Sequence, residues 1–231
     1  MRLPRHTLAP ILVTLNLLCL PLPARAATVA VDVGHTPKHF GARGPAGGEE
    51  YSFNRALGRA VADLLAMRGY VVIRVGGDGR ELELRQRTEQ AAGADLFVSI
   101  HHDSIQQAWI DAGRRGEFSG YALFVSEKNP AYPASLQCAQ HIGEQLRGAG
   151  EVPSLYHATP IAGENRPILD TLRGVHRFDD LIVLKTATMP AVLVEAGVIA
   201  NPQEEVRLGK AATRERLARA IADGIARCLQ P

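Results

Sequence analysis

The chain has 231 residues, 46% of them hydrophobic and 22% charged, with a formal net charge of +2. That is enough apolar material for one sizeable core, and it excludes a disordered, collagen-like or disulfide-dense mini-protein. With no polybasic run after the N-terminal segment, nucleic acid is not expected as a partner.

Residues 1–26 read as a secretory signal peptide. Arg2 and Arg5 make a positive start, an apolar run broken by prolines spans Leu8 to Leu22, and Ala24-Arg25-Ala26 supplies an A-x-A cleavage signal. The run is too short and too proline-broken for a comfortable membrane span. The expectation is an exported protein, periplasmic or extracellular, beginning near Ala27 with no stable membrane span. Losing Arg2, Arg5 and Arg25, and no acid, takes 26 basic residues to 23 against 24 acidic, a net of −1. Cys138 and Cys228 remain, both in helical patterns, and an oxidising compartment favours a disulfide between them.

The strand "TVAVDVGH", Thr28 to His35, runs into a loop rich in Gly and Pro. From Phe53 an amphipathic stripe predicts a helix through Ala56, Leu57, Ala60, Val61, Leu64 and Leu65, ended by Gly69. "YVVIRV" is the next strand, a helix follows from about Glu81 to Ala92, and "DLFVSIHH" is the third strand. Strands alternating with helices predict an α/β domain.

Ile105 to Ser119 reads as loop with some helix, "GYALFVS" as a strand, and Pro133 to Gly148 as a helix. Gly150 to Asp180 has no sustained period, and a long loop of this kind is often functional. "LIVLK" and "AVLVEAG" read as two further strands, and the last helix carries Leu217, Ile221, Ile225 and Leu229. No internal repeat, low-complexity segment or linker divides the chain. The fold expected is a single α/β domain over 27–231, with a mixed, mostly parallel central sheet flanked by helices.

Three strands end in polar residues that are expensive to bury: His35, the doublet His101 and His102, and Glu195. In an open α/β sheet, ligands bind beyond the carboxyl ends of the strands. Neighbouring strand residues point to opposite faces, so His101 and His102 do not both serve one site. Glu50 lies three residues before Phe53 and seven before Leu57, which puts it on the buried stripe. Glu49 turns toward solvent or the cap. Two histidines and Glu50 would hold a zinc ion and leave a fourth position for water. Glu195 would then be the general base. His39, His141, His157 and His176 are expected at the surface or in loops.

The motifs "VAVDVGH", "EEYSFNRALGRAVADLL", "LELRQRTEQA", "ADLFVSIHHDS" and "MPAVLVEAGVIAN" occur in this order. The set resembles the zinc-dependent N-acetylmuramoyl-L-alanine amidases of bacterial cell-wall turnover, the type 3 amidase catalytic domain, across nearly the whole mature chain. The resemblance implies one zinc ion on His35, Glu50 and His101, with Glu195 as catalytic carboxylate and His102 as a neighbour. It implies hydrolysis of the amide between N-acetylmuramic acid and L-alanine in peptidoglycan or muropeptides. Leu84, Arg87 and Ala91 match a family helix that looks structural, and Asn54 matches a common Asn. Arg166 or Arg173, in the irregular segment, would bind a substrate carboxylate.

The sequence departs from the family at "DVGHTP", where Asp-Pro-Gly-His-Gly-Gly is usual, at Val198, where an aromatic is usual, and at His102, where a small residue is usual. Related enzymes can carry a segment that covers the metal, and some answer to an activator protein. Residues 105–119 or 150–180 are where such a cover would fall here. Two other functions share these residues: a zinc peptidase cutting within stem peptides, and a non-catalytic wall-binding protein on the same scaffold.

Overall fold

Alternation along the strands decides which side of the sheet each residue serves. The structure, a computed structural model, describes residues 25–230. The leader expected over 1–26 lies outside the described residues, apart from Arg25 and Ala26. Among the described residues one sheet contains β1 (Thr28–Val33), β2 (Val71–Val75), β3 (Leu96–Asp103), β4 (Ala122–Val125), β5 (Ile168–Asp170), β6 (Val175–Arg177) and β7 (Ala191–Val198). Their order is β2-β1-β3-β7-β4-β6-β5. The first four in that order run parallel; β4 joins β7 antiparallel and β6 parallel, and β5 joins β6 antiparallel. This is a single-domain α/β fold with a mixed, mostly parallel sheet, as the strand–helix rhythm predicts.

The helices are α1 (Glu50–Met67), α2 (Leu84–Gln90), α3 (Gln107–Asp111), α4 (Tyr132–Gly148), α5 (Ile182–Lys185), α6 (Pro202–Gly209) and α7 (Ala211–Cys228). Val29, Val31, Val98, Ile100, Val192 and Val194 point to one face, where α1, α4 and α7 cover them with Leu57, Val61, Leu65, Ile142, Leu217 and Ile221. Each such burial contributes roughly 1.5–3 kcal/mol. Ala30, Phe97, Ala191 and Leu193 point the other way, where the short α5 supplies Val183 and Leu184. The second face is thinly covered, and the site opens there.

Some local expectations change. "LIVLK" is not a strand: Ile182–Lys185 is α5. A short apolar run carries no period that separates a strand from a buried helical turn, and the sheet positions beside β7 are already taken by β3 and β4. The helix expected from Glu81 starts at Leu84, where Glu83 and Gln86 form a capping box. The irregular segment contributes β5 and β6 to the sheet edge, strands of three residues each, too short to show alternation. His157 and His176, expected at the surface or in loops, are both buried.

Cys138 on α4 and Cys228 at the end of α7 form a disulfide with Cα atoms 4.9 Å apart, inside the usual range. The bridge links positions 90 residues apart and so closes a long loop. Replacing both cysteines by Ser is expected to cost about 2–4 kcal/mol, read as a lower unfolding free energy extrapolated to zero urea; equal free energies for the two proteins would exclude a stabilising bridge.

Candidate metal centre

β1, β3 and β7 end side by side. Their register pairs Val33 with Ile100 and His101 with Glu195. Alternation then puts Ser99, His101 and Asp103 of β3 on the thinly covered face, with Glu195 of β7 beside them. His102 goes to the opposite face, against Phe53 of α1 at 5.5 Å between ring centroids.

Glu50 reaches this cluster from the first residue of α1, and it is 5% exposed. One carboxylate oxygen lies 2.9 Å from His101 Nδ1 and the other 3.1 Å from His35 Nε2. The Ala42 amide donates to Glu50 Oε2 at 3.0 Å, and Asn54, one turn along α1, donates to Oε1 at 3.0 Å. The ligand atoms of His35, Glu50 and His101 all lie within 4.8 Å of one another. Two imidazoles and a carboxylate are a zinc-type donor set, and tetrahedral zinc holds its donors about 3.3 Å apart. The residues fit such an ion.

Close approach requires two glycines. A Cβ on Gly34 would fall on the His101 ring, and one on Gly41, whose φ is +79°, would fall on Glu50 Oε2. His35 itself has φ +68°, a left-handed conformation that costs a non-glycine residue roughly 1–2 kcal/mol.

The electrostatics separate the two glutamates. Burial alone would raise the Glu50 pKa, but the hydrogen bonds and charges of His101 and His35 outweigh it and hold the group well below the usual range. Glu195 goes the other way, well above its ordinary value, through burial first and then the charges of Asp103 and Glu50. Its Oε2 is buried and has no hydrogen-bond partner. Burial pushes the His102 pKa down to about 3. Asn54 Nδ2 donates to Gly34 O and to Glu50, so its Oδ1 must accept from His102 Nδ1–H at 2.8 Å. His102 is therefore neutral and props the helix that carries Glu50.

A cavity of about 930 Å³ opens over this cluster, lined by His35, His101 and Glu195 and walled by His157, Glu164 and Arg166. The Arg166 guanidinium lies 3.7 Å from the Phe178 ring centroid and donates to the Glu164 and Gly163 carbonyls. Arg173 is not in this lining; Glu144 and Asp170 engage it at 2.9 and 3.0 Å. No residue of 105–119 lines the cavity; Trp109 of α3 instead stacks on Phe118 and meets Tyr156 edge-on.

His157 is the group that sequence reasoning missed. Its ring nitrogens donate to Asp103 at 2.7 Å and to Glu164 at 2.9 Å, and the Tyr156 hydroxyl also donates to Asp103. Strand alternation could have flagged Asp103, two residues after His101, whereas His157 and Glu164 lie in a stretch without periodicity. Burial opposes the charge on His157, yet Asp103 and Glu164 together lift its pKa to about 9 from 6.5. A folded value above the unfolded one stabilises fully below pH 6.5 and is lost as pH rises toward 9. His157→Gln should therefore flatten the loss of stability between those values, read from urea midpoints; a wild-type protein no more pH-sensitive than the variant would rule out this bridge.

A model of the N-acetylmuramoyl-L-alanine amidase family matches residues 29–227. N-acetylmuramoyl-L-alanine amidase AmiA of Escherichia coli (strain K12) is 30% identical over 217 residues, covering 85% of this chain and 74% of the relative. Among solved structures, the catalytic domain of the amidase CwlV from Bacillus (Paenibacillus) polymyxa var. colistinus is 29% identical with a TM-score of 0.68, over 87% of this chain and 97% of that one. Amidase AmiC2 of Nostoc punctiforme is 25% identical, also at 0.68, over 89% and 98%. The chain belongs to the N-acetylmuramoyl-L-alanine amidase family.

Proposed function

We propose that this protein hydrolyses the amide between N-acetylmuramic acid and L-alanine in peptidoglycan, with a zinc ion held by His35, Glu50 and His101 and with Glu195 as the proton acceptor. The observation that carries the reading is the pairing of a three-donor cluster with a buried, unpartnered Glu195 oxygen in one cavity. Bound zinc would polarise the amide carbonyl and bring the pKa of a nucleophilic water toward neutrality.

Glu195 takes the proton of the attacking water at Oε2 and returns it to the departing amine of L-alanine. Its Oε2 is buried with no hydrogen-bond partner among the described residues, so that oxygen is free to take up the proton. Arg166 is the group proposed to bind a stem-peptide carboxylate. Arg166 lines the cavity, its guanidinium donates to two backbone carbonyls, and no carboxylate of this chain is hydrogen-bonded to it among the described residues.

The leader pattern at the N-terminus and the paired cysteines are consistent with work outside the cytoplasm. Among the described residues, no helix is long and apolar enough to cross a membrane. Peptidoglycan or its released fragments are the partner this reading requires, and an activator protein is compatible with it.

Digestion of purified peptidoglycan should release intact stem peptides with L-alanine at the amino terminus, and a chelator should abolish the release. Products cut only between D-amino acids would instead establish a peptidase. Glu195→Gln is expected to lose on the order of 10²–10⁴-fold in rate while retaining bound zinc, and full activity in that variant would remove Glu195 from the reaction. Metal analysis separates the histidine doublet: His101→Ala should lose zinc and His102→Ala should retain it, and the reverse pattern would overturn the ligand set.

A further inference from the structure

Beneath the metal centre lies a buried ion pair that the reaction does not use. Arg87 of α2 and Asp32 of β1 are 3% and 0% exposed, and they meet at 2.8 Å. The other Asp32 oxygen accepts the Ser99 hydroxyl at 2.6 Å. The same guanidinium donates to the Val33 carbonyl at 2.6 Å and to the His35 carbonyl at 2.6 Å. Asn54 takes the Gly34 carbonyl between them at 3.2 Å. Side chains from two helices thus hold all three carbonyls of the turn that leaves β1.

His35 occupies the left-handed region in that turn, and such a conformation persists only where its surroundings over-determine it. We infer that Arg87 is a positioning residue for the metal: it fixes the strained turn so that the His35 ring meets Glu50 and His101. The inference rests on the zinc reading above. Arginine suits the task because its planar fork serves Asp32, Val33 and His35 at once, which a single ammonium cannot reproduce. Stability alone gives little reason for the pair, since buried ion pairs are often replaceable by apolar groups without loss. Its hydrogen bonds to the backbone beside a ligand give it a different reason to exist.

The test compares the purified wild-type protein with Arg87→Lys and with the charge-free pair Asp32→Asn/Arg87→Met, which leaves no lone charge buried. Zinc affinity is measured by competition with a chromogenic chelator, and the melting temperature of the metal-free protein is measured alongside. The expected result is folded variants whose zinc affinity falls about 10- to 100-fold, as loss of a ligand's supporting contact does. Unchanged affinity in the folded variants, or loss of fold in both even with zinc present, overturns the inference and leaves Arg87 a structural residue. A wild-type protein that takes up no zinc overturns the zinc reading itself, and that result appears before any substitution is made.

Discussion

Glu50 begins α1, and its carboxylate lies buried between an imidazole from the turn after β1 and another from β3. A carboxylate so placed is costly unless charge and hydrogen bonds compensate. Two histidines, the Ala42 amide and the Asn54 amide supply that compensation. The rest of the site follows from it. The loop before α1 must curl back to present Ala42, Gly41 must lack a side chain to let it, and α1 must meet the sheet at the height of His101. His102 and Phe53 fix that height from the other side of β3.

The sheet divides labour between its faces. Three helices cover one face and bury most of the large aliphatic side chains there. The opposite face keeps only short helical cover, so polar groups at the strand ends can stand in a cavity. Those groups perturb one another in opposite senses. Glu50 is held ionised by its imidazole neighbours, while Glu195 is pushed toward the neutral form by burial and by two like charges. Two carboxylates in one site thereby acquire different electrostatics, the asymmetry that the proposed roles of ligand and proton carrier call for.

Much of this could be read from the sequence where periodicity was strong. The stripe from Phe53 to Leu65 located α1, and counting back along it located Glu50 on the buried side. Strand alternation separated His101 from His102, though it could not say which faced the cavity; the family pattern did. "LIVLK" misled because four or five apolar residues look alike in a strand and in one buried turn. The contact of His157 with Asp103 was invisible because it joins positions 54 residues apart, and its contact with Glu164 lies only seven residues along, inside a stretch with no repeat to place either side chain. Arg87 looked merely structural, since two of the three acceptors it serves are backbone carbonyls, which a sequence does not distinguish, and the third, Asp32, lies 55 residues away.

The antiparallel join between β7 and β4 has a wider consequence. All three proposed zinc donors and Glu195 belong to β1, β3, β7 and the start of α1, on the parallel side of that seam. The wall that faces them, with His157, Glu164 and Arg166, hangs between α4 and the short edge strand β5, and it is moored to the parallel half through Asp103. Length changes in that wall would reshape one bank of the cleft without displacing the donors. Such a division leaves the shape of the cleft's outer bank independent of the placement of the proposed donors.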